Sequence, residues 1–162
     1  MKNRKIISFI IVILSISILI IYFSSFYNYN KPKTYFGILD IPKIKVNNYI
    51  YYTNDLKNDV DKNVMLINDE NDFIILAAHS GSSPISYFNK LHLLSLRDEI
   101  IFTINNRKRY YEIFLIEEQE KAGKLNIKKY NYPTIVLITC SKKNKMYQEI
   151  YYARLKMSEK IS

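Results

Sequence analysis

The sequence predicts a mainly β domain, a closed barrel or sandwich with one or two short helices, behind one N-terminal transmembrane helix. Three observations predict it. Residues 6–23 form an uncharged apolar run. After residue 35, short β-branched and aromatic runs alternate with turn residues about every eight to twelve positions, as in all-β folds. Helical periodicity is nearly absent there.

The N-terminal run consists of Ile, Leu, Val and Phe with a few serines and Tyr22, and it contains no proline. At about 1.5 Å per residue it makes a helix of roughly 27 Å, close to the thickness of bilayer hydrocarbon. Lys2, Arg4 and Lys5 precede it, which keeps the N-terminus cytoplasmic by the positive-inside rule. Aromatic and serine residues follow at 22–27 in place of a small-residue cleavage pattern, so the segment reads as an uncleaved anchor. Residues 24–34, with Asn28, Asn30 and Pro32, read as a linker. The expected organisation is a cytoplasmic N-terminus and signal-anchor at 1–23, a linker at 24–34, and an extracytoplasmic domain at 35–162.

Within that domain, strands are expected at 35–41, 46–52, 64–67, 73–78, 99–104, 109–116, 134–139 and 149–155. Asn105-Asn106-Arg107-Lys108 marks a hairpin between two of them. Fifteen tyrosines and abundant Ile suit a pleated, half-buried surface. Residues 86–94, with Pro84 near their start, read as a short helix, and a further turn opens near Val60.

Net charge is +9, from 24 Lys and Arg against 15 Asp and Glu. The lysines are scattered and no nucleic-acid motif appears, so the charge reads as a solvated surface suited to an anionic membrane or wall polymer. With a single cysteine, the domain has no internal disulfide. No cofactor is expected. No residues have metal-ligand spacing, and Asp69, Glu70 and Asp72 read as a polar turn.

Two segments carry candidate chemistry. Residues 74–78 form an apolar run ending at His79, followed by Ser80-Gly81; residues 135–139 form another ending at Cys140. Each puts a reactive side chain where a buried strand reaches the rim of a rigid scaffold. A thiolate attacks carbonyls far better than a thiol, and a nearby imidazolium favours the thiolate. A lone Cys or His is usually structural; the paired strand-end context is what brings catalysis into view. The alternative is an inert Cys140, buried and far from His79, in a non-catalytic domain that binds wall or partner proteins.

Leu137-Ile138-Thr139-Cys140 resembles the nucleophile motif of the sortase family, and Ala78-His79-Ser80-Gly81 resembles its histidine segment. Phe36 to Ile44 is similar to the opening strand of many sortases, and Tyr87-Phe88-Asn89-Lys90-Leu91 with Arg97-Asp98-Glu99-Ile100 to the stretch after the histidine. Val136, Ala78 and Arg97 depart from the usual pattern at scaffold positions. The resemblance, running from about Tyr35 to Lys156, implies a closed sortase-type β-barrel and a cysteine transpeptidase. Cys140 would form a thioester with a surface protein or pilin bearing an LPxTG-like sorting motif. His79 would serve as acid and base, and a peptidoglycan precursor or pilin amine would accept the acyl group. A hydrolytic cysteine peptidase using the same pair is the rival enzyme reading.

Sortases generally add an arginine after the cysteine. If 134–140 and 148–156 form a hairpin, Gln148 returns beside Cys140, and Arg154 lies roughly 20 Å further along at about 3.3 Å per residue. Gln148 is therefore the expected third group, a neutral donor to an oxyanion, with Arg154 as runner-up. Lys142, Lys143 and Lys145 crowd the same loop, and His92 reads as structural.

Overall fold

The computed structural model describes residues 13–23, 35–123 and 125–161. The chain divides into two compact units, 1–34 and 35–162. In the first, residues 13–23 are helical with exposed side chains. The expected span at 6–23 lies partly outside the described residues; among those described, no helix is long and apolar enough to cross a membrane.

The second unit is one sheet of eight strands: β1 Gly37–Ile41, β2 Val46–Ile50, β3 Met65–Asn68, β4 Phe73–Ala77, β5 Glu99–Ile104, β6 Arg107–Glu120, β7 Thr134–Cys140 and β8 Tyr147–Lys160. Their spatial order is β2-β1-β5-β6-β8-β7-β4-β3, nearly closed into a barrel. Side chains tie the end strand β2 to the residue two positions before β3: Asn48 Nδ2 donates to Asn63 Oδ1 at 2.8 Å, and Asn63 Nδ2 donates to the Tyr49 carbonyl at 3.1 Å.

Strand alternation sorts the core into two clusters on opposite faces. Leu39, Ile74, Leu76, Phe102, Ile113, Ile135, Leu137, Tyr151 and Ala153 belong to the larger one. Phe73, Ile75, Val136, Ile138, Ile150 and Tyr152 form the other, against which Leu125, Ile127 and Tyr130 of the β6–β7 connection pack. This second covering explains why β4 and β7 are apolar at nearly every position. They pair in parallel, Phe73 opposite Thr134 through Ala77 opposite Ile138.

The β5–β6 hairpin turns on two residues, Asn105 and Asn106, with φ of 50° and 60°. Asparagine tolerates such left-handed backbone, and consecutive left-handed residues match the strand twist of a tight hairpin. Strand β6 consequently begins at Arg107, earlier than the sequence pattern suggests.

The helix expected at 86–94 is a correction. Only a 3-10 turn at Leu91–Leu93 forms there. The segment's amides bond three residues back (Asn89 to Ser86, Leu91 to Phe88, Leu94 to Leu91), while the Phe88 amide goes to the His79 carbonyl at 3.1 Å. An α-helical ladder needs four-residue spacing, so this backbone serves the histidine loop instead.

Candidate active site

β4 and β7 run side by side and stop together, which brings His79 and Cys140 to one rim. The ends are stitched across the gap. Ala78 N donates to the Ile138 carbonyl at 3.2 Å. Thr139 Oγ1 donates to the Ala78 carbonyl at 2.8 Å, and Ser80 Oγ to the Cys140 carbonyl at 2.6 Å. Each reactive residue thus sits one position beyond a bonded backbone, which limits its drift relative to the other.

Cys140 is two residues beyond Ile138, so it belongs to the face of the second cluster. It is partly exposed. A cleft of about 440 Å³ is lined by His79, Ser80, Gly81, Cys140 and Ser141 together with Lys121, Lys142 and Lys145. Cys140 is thus not fully buried, and it shares this cleft with His79. The His79 imidazole donates from Nε2 to Asp61 Oδ1 at 2.9 Å. Asp61 comes from the turn-rich 51–63 segment, whose Asp59 carboxyl is held below its usual range by the Lys62 ammonium and the Asp61 amide.

The β7–β8 hairpin sets where the two candidate third groups stand. Cys140 pairs with Gln148 and Thr134 with Arg154. Gln148 is therefore beside the cysteine on the same face, two residues before Ile150. Its side chain lines a smaller adjoining cleft with Lys121, Ala122, Gly123 and Leu125. Arg154 stands at the opposite end of the strand, where its guanidinium donates to Glu112 Oε1 at 3.1 Å. That contact is the main cause holding the Glu112 carboxyl below its usual range.

Lys121 is a residue that sequence reasoning missed. Its Nζ donates to Cys140 Sγ at 3.1 Å and to the Lys145 carbonyl at 2.8 Å. No local motif announces it, because it follows the end of a long strand and reaches the cysteine only through tertiary pairing. Lys143 faces away from this cleft, lining another with His92, Glu118 and Glu149. Ser141 Oγ, from the Cys140 cleft, donates to Glu118 Oε1 at 2.7 Å. His92 Nδ1 donates to the Asn89 carbonyl at 3.1 Å. Among the described residues, no three His, Cys, Asp or Glu side chains gather as a metal site.

The nearly closed eight-stranded β-barrel thus carries its cysteine and a histidine at one strand-end cleft. The family model "Sortase domain" matches residues 39–157, and the chain belongs to the sortase family, the cysteine transpeptidases of cell-surface proteins. Its fold is similar to sortase A of Listeria monocytogenes, at 17% identity and a TM-score of 0.67, covering 80% of this chain and 92% of that one. It is also similar to sortase C of Streptococcus pneumoniae, at 17% identity and TM-score 0.66, covering 83% and 75%. For the sortase D5 transpeptidase of Clostridium perfringens, the values are 22% identity, TM-score 0.62, and 80% and 85% coverage. Comparison with curated protein sequences gives no match.

Proposed function

We propose that this chain is a membrane-anchored transpeptidase in which Cys140 is the nucleophile and His79 the general acid and base. Cys140 Sγ attacks the scissile carbonyl of a sorting peptide on a surface protein or pilin. The C–N bond breaks as His79 protonates the departing amine, leaving a thioester. An amine of the wall precursor or of a pilin then attacks, His79 takes its proton, and the Cys140 thiolate is released beside the imidazolium. Gln148 is the neutral donor near the developing oxyanion, with Arg154 as the alternative third group. The apolar stretch at 6–23 tethers the enzyme, with its catalytic domain outside the membrane.

The observation that carries this reading is the common cleft of His79 and Cys140, with Thr139 and Ser80 cross-linking the strand ends beneath it. General acid–base transfer and nucleophilic attack both need that shared surface. Incubating the protein with sorting-peptide probes and an added amine tests it by mass spectrometry. The expected result is a covalent acyl adduct and an amine-transfer product, both lost in Cys140→Ala. An adduct persisting in that variant refutes the mechanism, and hydrolysis without transfer favours a peptidase.

A further inference from the structure

The ammonium of Lys121 is anchored more firmly than a solvated surface lysine. Its backbone amide donates to the Met146 carbonyl at 2.8 Å, continuing the β6–β8 pairing one step past Glu120 opposite Tyr147. Its Nζ donates to the Lys145 carbonyl in the same loop and to Cys140 Sγ. The side chain is thus held at both ends against the β7–β8 connection. Among the described residues, Lys121 makes no ion pair with a carboxylate. The cleft lining repeats the theme: Lys121, Lys142 and Lys145 contribute cations, and no Asp or Glu is among the described residues that line it.

We propose that Lys121 is a catalytic residue, the cation that stabilises the anionic sulfur of Cys140 and then the tetrahedral oxyanion. This rests on the reading of Cys140 as nucleophile. An ammonium has three donors. Lys145 and Cys140 take two among the described residues, and the third serves the substrate oxygen. As Sγ bonds to the carbonyl carbon, the C=O electron pair moves onto oxygen, and the negative charge moves from sulfur to an atom two bonds away. An ammonium already touching sulfur stabilises that charge without surrendering a proton. When the intermediate collapses, the pair returns to re-form C=O and the C–N bond breaks, with the proton to the amine coming from His79. Arg154 is tied to Glu112 at the far end of β8 and Gln148 is neutral, so Lys121 supplies the positive charge these two positions do not.

The test compares the whole chain with Lys121→Met and Lys121→Arg. Two measurements are made on each: iodoacetamide alkylation of Cys140, and single-turnover acylation by a sorting peptide. Lys121→Met is expected to slow alkylation severalfold and acylation about 100–1,000-fold, the scale of losing one oxyanion donor. Lys121→Arg is expected to keep most of both rates, and thermal melts of the two variants to match the parent. Unchanged alkylation and acylation in Lys121→Met overturn the proposal. So does equal loss in both variants with a lowered melting temperature, which marks a scaffold role. If the parent acylates with no sorting peptide, the transpeptidase reading fails by itself, and alkylation still decides whether Lys121 acts on the thiol.

Discussion

Replacing Thr139 by valine tests whether side-chain ties between the strand ends hold the reactive pair in place. Thr139 is 5% exposed and Ala78 is 4% exposed. Valine has nearly the same shape, so no large cavity opens and β-branching is retained. What disappears is the 2.8 Å hydroxyl bond, leaving the Ala78 carbonyl without that donor at a site water reaches poorly. An acceptor stranded in this way costs about 1–3 kcal/mol. The added methyl burial offsets part of that, so the net loss is about 1–2 kcal/mol. For a domain of this size, the midpoint should fall by roughly 3–8 °C. Because His79 and Cys140 each follow the bonded residue directly, kcat should fall several-fold with KM little changed. Urea unfolding and single-turnover acylation read the two effects. Ser80→Ala removes the neighbouring tie, and the double variant should show a coupling of about 0.5 kcal/mol or more. A Thr139→Val protein within about 0.3 kcal/mol of the parent, with unchanged turnover, would refute the reasoning.

Arg154→Ala should leave turnover within about threefold and reduce stability by no more than about 1 kcal/mol, since its exposed pair with Glu112 is worth little. Gln148→Ala should lower kcat more than Arg154→Ala does; steady-state kinetics showing the reverse order would move the third position to Arg154. Gly37→Ala should destabilise the fold by about 1–3 kcal/mol in chemical denaturation, because a Cβ there lies 2.7 Å from the Phe102 ring and 2.9 Å from the Thr103 carbonyl oxygen. Alkaline pH should unfold the domain. Burial pushes the phenols of Tyr111, Tyr151 and Tyr152 above their ordinary value of 10.0, with Glu149 adding to the effect at Tyr151. Below pH 10 these phenols are neutral in both states and nothing is lost. Above it, unfolded tyrosines release protons that the folded ones keep, so stability falls by up to about 1.4 kcal/mol per pH unit for each. Denaturation midpoints at pH 9 and 11 check the sign.

The pattern of apolar runs placed all eight strands to within a few residues, because side-chain alternation and turn chemistry act over short distances. The relation of Gln148 to Cys140 was also legible: a tight antiparallel return fixes which residues face each other, and Thr134 opposite Arg154 follows from the same counting. Local pattern misled at 86–94, where apolar spacing suggested a helix but the Phe88 amide is taken by the His79 carbonyl. That competition comes from a partner outside the segment.

The sequence by itself thus determined the strands, their turns and the two strand ends that carry cysteine and histidine. Tertiary structure decided the surroundings of that pair. The parallel pairing of β4 with β7 spans the whole β5–β6 hairpin in sequence and brings the two ends together. Asp61 reaches His79 from a separate turn. Lys121 reaches Cys140 because β6 keeps pairing with β8 through two register shifts and delivers its last residues to the β7–β8 loop. Each bulge shifts the alternation by a residue. The identity of the side chain arriving at the sulfur is therefore a property of the closed sheet, which no local window of sequence contains.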